Sequence, residues 1–419
     1  MSPLNRAALP DEFVEKARQL DARDPLRQFG DHFVHNPEVL AYLDGNSLGR
    51  PLRVTGDRMR DFIDDQWGTR LIRSWDERWI AMPTEVGDRL GRVALGAAAG
   101  QTIVADSTTV LLHKALHAAV SARPGRTEII ADTENFPTDR FAVAAVAKAL
   151  GLTVRWISPD PATGVRPSQV EELLSEKTAA VLLAHIAYKS AYIADMAAIT
   201  GSVHGAGALT VWDLCHSVGS YEVSLDACAV DLAVGCTYKY LNGGPGAPAF
   251  LYAASELQPL LNQPLSGWFG DTQPFAMAST HQPAPGIRRF LSGTPPILAM
   301  LPLRDMIAEV EAAGIAAIRQ KSVQLTEFVI EIADHVLAEH GVTVASPRDP
   351  DVRGGHVTLE HPSMKEIVAE LWQRGIIPDF RNPGGLRAGM SPLSTSFAEV
   401  ALALGHVREL VANQPARGR

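Results

Sequence analysis

The chain has 419 residues, of which 46% are hydrophobic and 20% charged, with a formal net charge of −9. This composition supports a large buried core in about two or three domains, excludes global disorder, and offers no basic tract for a nucleic-acid partner. Cys215, Cys228 and Cys236 make no C-x-x-C pair, "MSPLNRAALPDEF" lacks the apolar core of a signal peptide, and no run approaches the roughly 18 apolar residues of a membrane span, so a soluble, cytoplasmic protein without disulfides or metal is expected.

The first fifty or so residues contain a helix and a turn, "YLDGNSLG" (42–49), and need not join a central sheet. From about residue 100 to 255, short β-rich runs alternate with amphipathic stretches. "TIVAD" (102–106) precedes "STTVLLHKALHAAV", "EIIAD" (128–132) precedes "TDRFAVAAVAKAL", and "TVRWI" (153–157) precedes "SQVEELL". Ser168 and Glu171 have the spacing of a capping box. "AAVLLAHIA" (179–187), "ALTVWDL" (208–214) and "DLAVGC" (231–236) follow. Continuous apolar runs suit strands covered on both faces, which predicts an α/β fold with a mostly parallel sheet. After residue 295 the pattern predicts a long, broken helical region. Next come a strand "HVTLEH", a helix "SMKEIVAELWQRG" capped by Ser363 and Glu366 and stopped by Gly375, and the strands "IIPDFR" and "LRAGMS". This is a small α+β domain, ending in a loose tail "NQPARGR". The expected division is 1–55 packing with the small domain, 56–295 as the large domain, and 296–419 as the small one.

Ligands of open α/β sheets collect at the carboxyl ends of strands. Polar residues stand there after four runs: Ser107, Thr108 and Thr109; "NFPTD" (135–139); Asp213 and His216; Tyr238 and Lys239. Each has a plainer role, as helix cap, structural histidine or core aromatic. Lys239 has the weakest such excuse, because lysine is seldom buried without a partner. The loop "LNGGPGAP" after it is either an ordinary turn or backbone passing close to a bound group. One chemistry uses all of these together. Pyridoxal phosphate needs a lysine for its Schiff base, an acid beside its ring nitrogen, a flat side chain against its ring, and hydroxyls with a helix start for its phosphate. Lys239, Asp213, Phe136 and Thr109 fill those roles.

Beyond these residues, "YLDGNSLG", "FPTD" (136–139), "DLCHSVG" (213–219), "VGCTYKYLNGGPGAPAFLY" (234–252), "SGWFG" (266–270) and "GTPPIL" (293–298) resemble, in order, the motifs of the kynureninase family. The resemblance implies the large pyridoxal-phosphate fold shared with aspartate aminotransferase (fold type I), whose large domain has a seven-stranded-type sheet flanked by helices. The activity it implies is hydrolytic cleavage of L-kynurenine, with 3-hydroxykynurenine as a second substrate. It makes Lys239 the Schiff-base lysine, Asp213 the partner of the ring nitrogen, and Tyr238 a phosphate ligand and proton relay. Phe136, Pro137, Thr138, Asp139 and His216 lie along the cofactor, and Thr108 and Thr109 hold its phosphate. Trp268 and Thr294 match positions that reach the phosphate from a second subunit, which implies a homodimer with shared sites. Asn46, Ser47, Trp75 and Arg387 match positions near the substrate, Arg387 at its α-carboxylate; read by itself, Arg387 is a surface ion pair. Gly293-Thr294 and Trp75 are similar to bacterial members that prefer kynurenine itself. The chain departs from the family wording at Asp271, Ser394 and Tyr188–Ala191. Two rivals stand beside this reading: another enzyme of the same fold, such as a cysteine desulfurase or selenocysteine lyase, and a non-catalytic relative that binds the cofactor.

Overall fold

A computed structural model describes residues 9–414 as two sheets wrapped by helices. In chain order the strands are β1 (Ala41–Leu43), β2 (Thr102–Ala105), β3 (Glu128–Asp132), β4 (Thr153–Ile157), β5 (Thr178–Ala184) and β6 (Leu209–Asp213). Then come β7 (Leu232–Gly235), β8 (Ala249–Ala253), β9 (Thr343–Val344), β10 (His356–Glu360), β11 (Ile376–Arg381) and β12 (Gly385–Gly389). The larger sheet has the order β2-β8-β7-β6-β5-β3-β4.

Its strands are apolar along their whole length because both faces are covered. Successive side chains point to opposite faces, so neighbours in sequence enter different cores. Ile103, Ile129, Leu182, Val211, Val234 and Leu251 pack under the helices Thr108–Ser121 and Pro137–Leu150. Val104, Ile130, Val181, Trp212, Ala233 and Phe250 pack on the other side, with Ile199 and Val203 of helix Met196–Gly205. β8 was not among the expected strands and is antiparallel to both its neighbours, β2 and β7. It returns directly from the glycine loop with no crossover helix, so the alternation of strand and helix gives no cue to it.

The smaller sheet has the order β1-β11-β12-β10-β9. β1 joins it in parallel with β11, and Phe13, Ala17, Ala41 and Leu43 share a core with residues of 325–411. Leu26, Phe29, Phe33 and Leu52, and the helix Leu301–Ala313, instead contribute to the core of the larger sheet. The long helical region breaks at Gly314, whose φ is +78°, before helix Ile315–Ile332.

Two expected caps do not form. Pro167 lacks an N–H and takes the first helical position, so Arg166 is the residue before the helix and its N–H donates to Gln169 Oε1 at 3.0 Å. Glu171 accepts instead from Ser202 Oγ at 2.7 Å. Ser363 makes no capping hydrogen bond, because its backbone (φ −99°, ψ 16°) is not the extended one a cap requires. Gly375 does stop helix Met364–Gln373, at φ +73°, and its carbonyl accepts from Leu40 N at 2.8 Å. Among the described residues no helix is long and apolar enough to cross a membrane. Residues 415–419 of the expected tail lie outside the described residues.

Candidate active site

The carboxyl ends of β3, β6 and β7 converge on one cleft. Asp213 ends β6 and is buried, with Oδ1 accepting from Cys215 N at 2.8 Å. Phe136, Pro137, Thr138 and Asp139 form the start of helix Pro137–Leu150 beyond β3, with proline again at the first helical position. Asp139 turns inward and is 2% exposed, against Asp213. Phe136 leaves its ring 38% exposed over the cleft, braced edge-on by Tyr188 at 5.4 Å between centroids.

Lys239 follows β7 by four residues and is half-buried, not sealed in the core. Its Nζ lies 3.3 Å from His216 Nε2 and 5.9 Å from the centroids of Phe136 and Tyr238. Backbone bonds from Asn242 N to Lys239 O and from Gly243 N to Thr237 O, both 2.9 Å, set the loop. Asn242 stands at φ +48°, with Nδ2 donating to Arg50 O at 2.8 Å. Gly244, Pro245 and Gly246 form the loop's outer tip. Gly49 N donates to Tyr238 O at 2.8 Å, and a side chain at Gly49 would strike Asn242 and the Lys239 carbonyl. The "YLDGNSLG" turn is thereby clamped onto the lysine loop.

That clamp, together with β1 in the smaller sheet, delivers Asn46 and Ser47 to Arg387 of β12. Arg387 is 1% exposed, which corrects the surface reading of it. Nη2 donates to Ser47 Oγ at 2.8 Å and lies 2.7 Å from Asp379 Oδ2; Nη1 donates to Tyr188 O at 2.8 Å. Asn46, with its amide nitrogen toward Asp44, accepts from Nε at 2.9 Å.

Burial and charge fix the protonation of several groups. His216 is held well below the usual histidine range by burial, then by Lys239 and Arg387, and is a neutral imidazole. Tyr238 is pushed up by burial and stays a phenol, able to donate. Asp139 is pushed well above the carboxylate range by burial, then by Asp213, so it keeps its proton at neutral pH. The folded, cofactor-free chain therefore keeps a proton that the unfolded chain releases. Stability falls as pH rises from the unfolded to the folded pKa of Asp139 and stays lower above it. Asp139→Asn is expected to raise the melting temperature of the cofactor-free protein at neutral pH, with little change near pH ~4. Equal shifts at both pH values would show that the carboxyl is not strained.

The other assigned residues fall into two groups. Thr108 and Thr109 open helix Thr108–Ser121 at the mouth of the cleft, where Ser107 Oγ accepts from Val110 N; Thr109 is exposed and Thr108 Oγ1 lies 4.0 Å from Cys215 Sγ. Trp75, Trp268 and Thr294 are not brought to Lys239 within one chain. Trp75 and Trp268 pack edge-on at 6.2 Å, and Trp75 and Thr294 line an apolar groove of ≈ 520 Å³ with Phe62, Trp67 and Trp79. No ring contact or hydrogen bond among the described residues joins these three to Lys239, Asp213 or Phe136. Of the departures, Asp271 receives Gln273 N and Gln282 N at 2.9 and 2.7 Å in a loop of its own, and Ser394 is buried with an unpartnered Oγ.

Three features of the cleft ask for a flat, cationic, phosphorylated group. Asp139 Oδ2 is buried with no partner beside a second carboxylate, an arrangement that a cationic N–H relieves. Phe136 offers an uncovered ring face, and the hydroxyls and free N–H groups of a helix start stand at the cleft mouth. Among the described residues no cluster of metal-ligating side chains exists. Cys215 and Cys236 are buried against each other, Cys236 N donating to Cys215 Sγ at 3.2 Å, and Cys228 is half-buried, so no cysteine stands free as a nucleophile.

Over residues 318–407 the chain matches the Kynureninase C-terminal domain, and over 91–233 the DegT/DnrJ/EryC1/StrS aminotransferase family. It is 40% identical over 389 residues to the kynureninase of Pseudomonas fluorescens, covering 91% of each chain. To that of Burkholderia pseudomallei (strain 1106a) it is 38% identical over 402 residues, covering 95% of each. Among solved structures, the cysteine desulfurase of Thermococcus onnurineus NA1 superposes with a TM-score of 0.80 at 20% identity, over 94% of this chain and 99% of that one. A C-DES mutant with glycine linked to its PLP cofactor gives 0.75 at 16%, over 90% and 97%. At these identities the two structures are alike in fold alone.

Proposed function

The chain belongs to the kynureninase family, and from that premise we propose how it works: it is a pyridoxal-phosphate enzyme that hydrolyses L-kynurenine to anthranilate and L-alanine. The observation that carries this reading is the meeting of Lys239, neutral His216 and the Asp139–Asp213 pair under an uncovered Phe136 ring, in a chain with that family's relatives along its length. The cysteine-desulfurase rival rests on fold likeness, and the chain's buried cysteine pair does not suit it.

Lys239 would hold the cofactor through Nζ, Asp213 would pair with its ring nitrogen, Phe136 would pack against its ring, and Thr108, Thr109 and Tyr238 would hold its phosphate. When bound, pyridoxal phosphate supplies an electron sink conjugated to the substrate's α-carbon. Lys239 Nζ carries the α-proton, and the uncharged His216 beside it adds no like charge. Tyr238, as a phenol, returns protons in the later steps. Water adds to the γ-carbonyl and the Cβ–Cγ bond breaks, so that the hydroxyl stays with anthranilate and a proton ends on Cβ of alanine. Arg387, Asn46 and Ser47 orient the α-carboxylate.

We further assign a cytoplasmic homodimer, in which Trp268 and Thr294 of one protomer complete the phosphate site of the other and Trp75 lies toward the substrate's ring. The apolar groove around Trp75 supports this, because exposed Trp67, Leu71 and Ile72 call for cover. A substrate comparison tests the function. Purified protein should release fluorescent anthranilate from L-kynurenine and, less efficiently, its hydroxylated product from 3-hydroxykynurenine, with no sulfur release from L-cysteine. Sulfur release exceeding anthranilate release would favour the desulfurase reading.

A further inference from the structure

His356 stands in β10 with 0% of its surface exposed, and neither ring nitrogen has a hydrogen-bond partner. Two open polar atoms on one buried side chain are costly and call for an occupant. The Lys189 carbonyl, which accepts from Thr358 Oγ1 at 2.5 Å, lies near the ring and raises its basicity, against the stronger lowering by burial and by Arg387.

The register shows what the ring faces. β10 and β12 are antiparallel, with Thr358 opposite Arg387 and His356 opposite Gly389. Opposed residues share a face, as do alternate residues along a strand, so His356 and Arg387 lie on the same face. Val357, Leu359, Leu386 and Ala388 take the other face, into the apolar core. Gly389 leaves room for Asn46, whose side chain occupies the place a Cβ would take. The His356 ring lies 5.9 Å from that of His216, which touches Lys239. His356 therefore belongs to the cleft, at the Arg387 end.

Arg387 is short of free donors there. A guanidinium has a fixed set of N–H groups. Nε is taken by Asn46, one Nη2 hydrogen by Ser47, with Asp379 Oδ2 held against Nη2 as an ion pair, and one Nη1 hydrogen by Tyr188 O. One Nη1 hydrogen remains, too few to grip both oxygens of a carboxylate.

We propose that His356 is a substrate-binding residue that donates its ring N–H to the second oxygen of the substrate's α-carboxylate, completing the single donor left on Arg387. This rests on the functional reading above, which places that carboxylate at Arg387. It gives the ring's one N–H a partner, which arrives with the substrate.

The test compares L-alanine, the carboxylate-bearing product, with L-alaninamide as ligands of the holoenzyme, by absorbance titration of the bound cofactor. His356→Leu should weaken L-alanine by about tenfold or more, as expected for a lost charge-assisted hydrogen bond, and L-alaninamide by less than about twofold. His356→Gln, which keeps an N–H, should retain most of the L-alanine affinity. Unchanged L-alanine binding, or equal weakening of both ligands, would overturn the assignment. If the leucine variant does not fold, His356→Met removes the N–H at similar reach and is read by the same two outcomes. A protein that binds L-alanine in this pattern yet never cleaves kynurenine would sink the functional reading and leave this one standing.

Discussion

Lys239→Ala is expected to lower kynurenine turnover by about ten-thousandfold or more and to remove the visible absorbance of the covalently held cofactor. Both effects come from one atom. Among the described residues Nζ is the only amine placed over the Phe136 ring, and neutral His216 at 3.3 Å has no means to replace it as a covalent anchor. The variant should still fold. Lys239 is half-buried, and its side chain makes one hydrogen bond, so its loss costs about 1 kcal/mol or less. The loop around it is set by backbone bonds from Asn242 and Gly243, which alanine leaves in place. Loss of activity with an unchanged melting temperature is thus the expected combination. Turnover within tenfold of wild type would remove Lys239 from the mechanism.

Asp213→Ala has the second large effect. Asp213 ends β6 between two strands of the sheet and is 6% exposed, so its position is fixed by the fold. Its proposed partner is the cofactor's ring nitrogen, and losing a buried charged pair costs about 3 kcal/mol, which is a hundredfold or more in cofactor affinity. Turnover should fall further still at saturating cofactor, because the ring nitrogen loses the group that keeps it protonated. Asp213→Ala also leaves Asp139 with one carboxylate fewer beside it, so the cofactor-free variant should not be destabilised in proportion. Cofactor affinity within about threefold of wild type would reassign the role, with Asp139 as the next candidate.

Much of the larger sheet was readable in the chain because its strands are buried on both faces and spell continuous apolar runs. β8 was not, since a returning strand after a glycine loop carries no alternation with a helix. The caps at Ser168 and Ser363 failed for local reasons: a proline starts one helix a residue earlier, and the other serine lacks extended backbone.

The site divides in the same way. Asp139, Asp213, His216 and Lys239 sit at strand ends or helix starts, so their shared address follows from the topology of an α/β sheet. Arg387 and His356 depend on the register of β10 against β12 and on a turn some 340 residues earlier in the chain, as the Arg387–Ser47 bond illustrates. "RGGHVTLEH" reads simply as a strand, and nothing local marks its histidine. The signal that finds His356 is cross-strand pairing with the face that carries Arg387. Trp75, Trp268 and Thr294 needed the family's wording, because within one chain Trp75 and Thr294 line a groove of their own and Trp268 packs edge-on against Trp75.

The central claim is that this chain cleaves the Cβ–Cγ bond of kynurenine with water. Product stoichiometry tests it most directly. Purified wild-type protein with its cofactor, given L-kynurenine, should yield anthranilate and L-alanine in equal amounts, each matching the kynurenine consumed. Bound cofactor with no anthranilate, or alanine formed without it, would contradict the account.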